Sequence, residues 1–161
     1  MPMSLSRRTQ RNISGTIAVL AGCAVVYIGD WLLGIDLELW WGLATFTPIW
    51  MVAVFVVPLI SGIVCAMIFG LGGKWLCYFP PLIVRTINYF AYVGELKVPP
   101  PGAELLFFPF WILFVILVVE AAAFGGVFGE IIVKRTYGRL PREQVYRKAG
   151  DESAGSGGQG G

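Results

Sequence analysis

Residues 43–71 read LATFTPIWMVAVFVVPLISGIVCAMIFGL, and no Asp, Glu, Lys or Arg interrupts these 29 positions. A helix crosses the hydrocarbon core of a bilayer with about 20 mostly apolar residues. Pro48 and Pro58 are expected to bend or loosen this helix, which a membrane helix tolerates where neighbours satisfy the freed carbonyls. The stretch therefore predicts a chain that is embedded in lipid.

The composition of the whole chain agrees with this interpretation. Of its 161 residues, 57% are hydrophobic and 14% are charged, whereas a soluble domain has about 25% charged residues. Histidine is absent from the sequence, which removes the commonest general base and a frequent haem and metal ligand. We therefore predict a protein that is not an enzyme and has no metal or cofactor of its own, and that contacts lipids and any cofactors held by partner subunits.

Three further apolar segments flank the first one. We predict an all-α integral membrane protein whose transmembrane helical domain, residues 13–134, has four transmembrane helices at 13–35, 43–71, 75–94 and 105–133. The third segment carries Pro80, Pro81 and Arg85, so we expect it to be irregular and either to span or to be re-entrant. Residues 1–12 are predicted to be a basic cytoplasmic N-terminus, and residues 135–161 a basic and then Gly-rich, disordered cytoplasmic tail.

The distribution of basic residues favours a spanning third segment. In that case the N-terminus, Lys74 and the tail share one side, which holds ten of the twelve Lys and Arg residues. The opposite side holds only Lys97. The positive-inside rule then places both termini in the cytoplasm and the chain, as a multi-pass protein, in a bacterial inner membrane. We expect anionic lipid headgroups, and not nucleic acid, at the basic termini.

Arg85 and Glu120 are predicted to form an intramembrane charge pair. With four spans their depths differ by only about 4.5 Å at a rise of ~1.5 Å per residue. A charge at bilayer depth costs ~2.5–3.5 kcal/mol on insertion scales, so each side chain should seek a partner. The pair is interpreted either as a structural contact or as part of a proton or ion pathway. Asp30 and Glu130 are secondary charged candidates, expected at the membrane interface.

Small residues recur at every fourth position on two of the predicted helices. Such stripes let helix backbones approach closely in lipid. They predict either packing of the two helices within the chain or a docking face for another subunit. The helix-packing residues are Gly62, Ala66 and Gly70 on the second helix and Ala121, Gly125 and Gly129 on the last.

The sequence contains neither a phosphate-binding glycine loop nor a nucleophile constellation. Two functions remain. The first is a small accessory or structural subunit of a larger membrane protein complex, which binds neighbouring subunits through transmembrane helix packing. The alternative is a small homo-oligomeric channel or transporter with Arg85 and Glu120 near the pathway.

Overall fold

The computed structural model describes residues 7–70 and 72–137, and most of them are helical. The predicted tail, 135–161, and the first half of the predicted N-terminal region, 1–12, therefore lie largely outside the described residues. The helices of the described chain are α1 (Arg7–Leu33), α2 (Pro48–Met51), α3 (Val57–Phe69), α4 (Phe79–Val93) and α5 (Phe108–Tyr137). A π-helical segment (Val52–Val56) joins α2 to α3, and a 3₁₀ segment (Gly73–Tyr78) leads into α4.

Three helical stretches of the described chain are long and apolar enough to cross a membrane: Arg11–Leu33, Pro48–Phe69 and Phe108–Thr136. The described chain is therefore mostly helical and has three candidate membrane-spanning helices, which is consistent with the predicted membrane protein. The stretch 75–94 is not among them, because its α-helix, α4, has only 15 residues.

The second long apolar helix, Pro48–Phe69, begins later than its hydrophobic run. Residues 42–47 are not helical, and the Thr47 side-chain oxygen accepts a hydrogen bond from the backbone N–H of Trp50 at 3.1 Å. Pro48 occupies the start of the helix, where an N–H has no helical partner and proline costs nothing. Pro48 therefore starts the helix and does not bend it.

Pro58 lies inside the same helical stretch, two residues after the end of the π-helical segment. Proline lacks the N–H that an α-helix would bond four residues back. The wider turn at Val52–Val56 accommodates this interruption, so the helix continues from Pro48 to Phe69.

The long helices pack around α3. Helix α1 is antiparallel to α3, whereas α5 is parallel to it. Along α1, Gly15 lies beside Phe69, Gly22 beside Ser61 and Gly29 beside Val57. Along α5, Gly125 lies beside Leu59, Gly126 beside Gly62, and Gly129 beside Ala66.

The 3₁₀ segment and α4 together follow α1 along most of its length. The contacts pair Leu76 with Gly15, Pro80 with Gly22, Arg85 with Asp30, and Tyr92 with Asp36. The chain thus traverses the bundle four times in alternating directions. The first and last described residues, Arg7 and Tyr137, lie at the same end of the bundle as Lys74.

Two very short strands close the opposite end. Strand β1 (Leu39–Trp40) pairs antiparallel with β2 (Glu104–Leu105), and the Leu106 N–H donates to the Glu38 carbonyl at 2.9 Å. We predicted an all-α protein, and this strand pair is a departure from that prediction. The strand pair ties the connection after α1 to the connection before α5.

Candidate functional site

Arg85 is the centre of the most unusual group of side chains in the protein. Its side chain is 2% exposed, although arginine is almost never fully buried without a partner. Its Nη2 lies 2.5 Å from Asp30 Oδ2, and its Nη1 lies 3.2 Å from Glu38 Oε1. We call Arg85, Asp30 and Glu38 the Arg85 cluster.

Three different elements supply this cluster. Arg85 lies in the middle of α4, and Asp30 lies in the last turn of α1. Glu38 directly precedes β1, and the hydrogen bond from Leu106 to its carbonyl holds that backbone in place. The strand pair thereby places the Glu38 carboxylate, which is 0% exposed, against α4.

The predicted pairing of Arg85 with Glu120 is wrong. Glu120 is exposed, and it lies two positions from both Val118 and Ala122, which are buried. Since each residue turns a helix by about 100°, Glu120 points away from the packed face of α5. It lines a shallow crevice of about 120 Å³ together with Lys74 and Tyr78, at a distance from the Arg85 cluster.

The two secondary candidates each have defined partners. Asp30, predicted to lie at the membrane interface, is in the last turn of α1, is 7% exposed and is bonded to Arg85. Glu130 stabilises a turn: its Oε1 accepts hydrogen bonds from the N–H groups of Gly72 at 3.0 Å and Lys74 at 3.3 Å. It fixes the start of the 3₁₀ segment against α5.

The Arg85 cluster contains two carboxylates and one guanidinium. Asp30 Oδ1, Glu38 Oε2 and Arg85 Nε are buried and have no hydrogen-bond partner among the described residues. Burial raises the pKa of Glu38, and the positive charge of Arg85 opposes that rise only in part. The cluster is therefore rich in hydrogen-bond acceptors and short of positive charge.

A crevice of about 260 Å³ opens beside the cluster, between α1 and α4. Asp30 lines it, and Lys97 Nζ lies 3.4 Å from Asn88 Oδ1 and 3.8 Å from Asp36 Oδ1. We call this the polar crevice. Its principal lining residues are Tyr27, Asp30, Trp31, Asp36, Asn88 and Lys97.

The small-residue stripes contact each other within the chain. A Cβ atom at Gly62 would overlap the Ala122 carbonyl oxygen, and one at Gly125 would overlap the Leu59 carbonyl oxygen. Ala66 packs against Gly129, and Ala121 is buried. Gly70 does not belong to this contact, because it ends α3 with φ +86° and has open space around it.

Glu38 was missed as a functional residue. A signal for it existed: with a spanning third segment, the end of 75–94 and the acidic turn at 36–38 lie at the same end of the bundle.

Within residues 7–70 and 72–137, no group of three or more Cys, Asp or Glu side chains is placed to hold a metal ion. Comparison with protein-family models, with curated proteins and with solved structures gives no match.

Proposed function

We propose that this protein is a small accessory or structural subunit of a larger membrane protein complex, and that α1 is its docking helix. One observation carries the proposal: α1 is the least covered of the three long apolar helices. Only 22% of the most apolar 18-residue stretch of α1 is buried in the bundle, against 44% for the corresponding stretch of Pro48–Phe69 and 39% for that of Phe108–Thr136.

The exposed face of α1 is apolar along its length. Six of its exposed apolar residues follow each other at alternating steps of four and three, a spacing that suits lengthwise contact with another helix, and Ile28 and Leu32 lie beside the last of them. The six residues are Ile13, Ile17, Leu20, Ala24, Tyr27 and Trp31. The occupant that we propose for this seam is an apolar transmembrane helix of another subunit.

The small-residue stripes, which were the other candidate docking faces in the sequence, contact each other inside the chain. The stripes that contain Gly62 and Gly125 bring α3 and α5 into backbone contact. Helix packing in lipid depends on such close approach. The small-residue stripes thus hold α3 and α5 together within the chain. The exposed face of α1 is therefore the surface that we assign to a partner.

We further propose that the chain crosses the membrane four times, with both termini in the cytoplasm of a bacterium. Six 3₁₀ residues at ~2.0 Å and 15 α-helical residues at ~1.5 Å give roughly 34 Å, against a hydrocarbon thickness of ~30 Å. The described ends lie with Lys74 at one end of the bundle, which supports a single basic side.

A matched pair of double variants tests the docking helix. Leu20 and Tyr27 are 63% and 60% exposed on α1, whereas Leu113 and Phe124 are 59% and 63% exposed on α5. We expect Leu20→Ala with Tyr27→Ala to lower the amount of partner subunit in the purified complex by roughly tenfold, since two large contacts of a helix seam are lost. Native mass measurement after mild detergent extraction gives the partner stoichiometry. Leu113→Ala with Phe124→Ala should leave it unchanged.

Equal partner loss in both double variants would contradict the assignment of α1. A particle that contains only this chain would contradict the subunit role and favour the homo-oligomeric channel or transporter. That alternative required Arg85 and Glu120 near one pathway. In the described chain Arg85 is enclosed by Asp30 and Glu38, while Glu120 lies on the outer surface of α5, so no common pathway supports it.

A further inference from the structure

We propose that a groove between α1 and the stretch 73–93 binds an anionic phospholipid, with the lipid phosphate at Arg11 and one acyl chain along the groove. We call it the Arg11 groove. This inference goes beyond the subunit role and does not depend on it. The ligand class is a lipid whose headgroup carries a net negative charge, as in phosphatidylglycerol.

The first step is the polarity of the groove, which is polar at one end and apolar along the rest. Its volume is about 540 Å³, within the ~300–1,000 Å³ that is typical of ligand pockets. Arg11 and Asn12 form the polar end, and the Thr16 hydroxyl is already bonded to the Asn12 carbonyl at 3.1 Å. The apolar lining residues are Val19, Leu20, Phe69, Leu76, Phe79 and Ile83. An amphiphile with one polar end matches this arrangement.

The second step is the position of the Arg11 charge. Its guanidinium carbon lies 5.8 Å from the centre of the Phe69 ring, and Phe69 lines the same groove. This cation–π contact holds the charge at the mouth of the groove. The ion pairs within residues 7–70 and 72–137 involve Arg85 and Lys97 and not Arg11. The exposed guanidinium therefore keeps its planar set of N–H donors for a phosphate group, which it can bind through two hydrogen bonds.

The third step is the sign of the surrounding charge. Three further exposed cations lie at the same end of the bundle as Arg11, namely Lys74, Lys134 and Arg135. Glu130, an acid at this end, already accepts two backbone hydrogen bonds. A basic surface attracts a headgroup with net negative charge and repels the ammonium group of a zwitterionic one. The surroundings of the groove therefore favour an anionic lipid.

The fourth step is the length of the groove. On α1 its lining residues run from Arg11 to Leu20, which is about 14 Å at a rise of ~1.5 Å per residue. An acyl chain of one leaflet covers about half of the ~30 Å hydrocarbon core. Arg11 is also the first residue of the apolar stretch Arg11–Leu33, which places its charge at headgroup depth. A partner helix would make contact over the full thickness, so a groove of this length fits a lipid better than a helix.

The groove is distinct from the seam that we assign to a partner subunit. The seam residues Ile13 and Ile17 do not line the groove, and Leu20 is common to both surfaces. Tests of the groove therefore change Arg11 and a residue of α4, so that the seam stays intact.

The unmodified protein gives the first test. It is reconstituted in vesicles of equal parts phosphatidylglycerol, phosphatidylethanolamine and phosphatidylcholine, extracted gently and activated in a native mass spectrometer until one lipid remains bound. We expect phosphatidylglycerol to be enriched roughly fivefold over each zwitterionic lipid, the ratio for one basic residue at an anionic headgroup. Equal amounts of the three lipids would overturn the proposal.

Charge variants give the second test. Arg11→Gln removes the cation at the groove mouth and should abolish the enrichment of phosphatidylglycerol. Arg135→Gln is the control, because Arg135 is an exposed cation at the same end of the bundle that does not line the groove. This control should keep the enrichment. An equal fall in both variants would show a general attraction to the basic end and would overturn the site.

Size variants test the place of the acyl chain. Ile83 and Ile87 lie one turn apart on α4 and are 38% and 63% exposed, but Ile87 does not line the groove. Ile83→Trp fills part of the groove and should lower lipid retention severalfold, whereas Ile87→Trp should leave it unchanged. Equal retention in both variants would overturn the placement of the chain. If Ile83→Trp loses the partner subunit and keeps the lipid, the groove holds a helix and the lipid assignment is overturned.

Discussion

At the scale of single residues, Arg85 is held by carboxylates that come from distant parts of the sequence. Asp30, in the last turn of α1, is 55 positions from Arg85 in the sequence, and Glu38, which directly precedes β1, is 47 positions from it. A buried ion pair is not in itself a large source of stability, because the desolvation of both partners offsets their attraction. Its removal on one side only is nevertheless severe, since the other charges stay buried without compensation. The cluster therefore fixes the position of α4 more than it adds net stability.

Arg85→Ala should destabilise the protein by about 3–5 kcal/mol, because it leaves Asp30 and Glu38 buried without a cation. Combining Arg85→Met with Asp30→Asn and Glu38→Gln should recover a large part of this loss, since no buried charge remains. Thermal unfolding in detergent measures both. A single Arg85→Ala variant as stable as the unmodified protein would show that the cluster is not buried.

The pH dependence of stability follows from Glu38. Burial raises the pKa of this carboxyl in the folded state above the ordinary value of ~4.3, so the folded protein binds more protons than the unfolded chain. Its contribution is complete below about pH 4.3 and is lost as pH rises through the raised pKa. The midpoint of thermal unfolding should therefore fall with rising pH in that range, and Glu38→Gln should flatten the profile. A midpoint that rises with pH by the same amount in both proteins would contradict this sign.

The sequence predicted that Arg85 is buried and paired, but it did not predict the partners. Matching depths along straight helices selected Glu120, because the depth of a residue does not determine the direction in which its side chain points. The small-residue stripe through Ala121 and Gly125 already indicated the packed face of α5. Charge bias placed the acidic turn at 36–38 at the same end of the bundle as the end of the segment 75–94, but the contact of Glu38 with Arg85 depends on a strand pair of only two residues per strand. Such a short ladder leaves no periodic pattern in the sequence.

At the scale of elements, the contact between α3 and α5 is the closest in the bundle. The two helices run parallel, and glycine at 62 and 125 lets each backbone meet a carbonyl of the other. Larger side chains would keep the helix axes further apart. The stripes were visible in the sequence, and their mutual contact was one of the two predicted outcomes. Gly70 was assigned to a stripe by spacing alone, whereas its positive φ gives it the role of ending α3.

Gly62→Leu or Gly125→Leu should separate α3 from α5 and lower the yield of folded, monodisperse protein severely, since a side chain at either position overlaps backbone atoms. Val127→Leu is the control, because Val127 lies on α5 itself and its side chain is 47% exposed. Size-exclusion chromatography in detergent separates the outcomes. Normal elution of both glycine variants would mean that the two helices do not touch at these residues.

At the scale of the whole molecule, the number of crossings depends on the segment that is least apolar. Three candidate crossings were predictable from hydrophobic runs alone, and residues 7–70 and 72–137 contain three helices long and apolar enough for them. The stretch 73–93 is different, because it combines a 3₁₀ segment, two prolines and a buried arginine. Charge bias predicted that it spans. Its contacts along α1 and the pairing of β1 with β2 also support a path from the Lys74 end of the bundle to the end that carries the strands.

Labelling of single cysteines with a membrane-impermeant reagent tests the four-crossing arrangement most directly. Single cysteines replace Leu43, Leu96, Lys74 and Arg135 in a variant whose Cys23, Cys65 and Cys77 are replaced by Ala. All four positions are exposed; the first three lie outside the long apolar helices, and Arg135 lies in the last turn of α5. Four crossings predict that the positions 43 and 96 react from one side of sealed vesicles and the positions 74 and 135 from the other. Reaction of position 96 from the same side as position 74, with position 135 on the opposite side, would contradict the arrangement and show that the segment 73–93 re-enters the membrane.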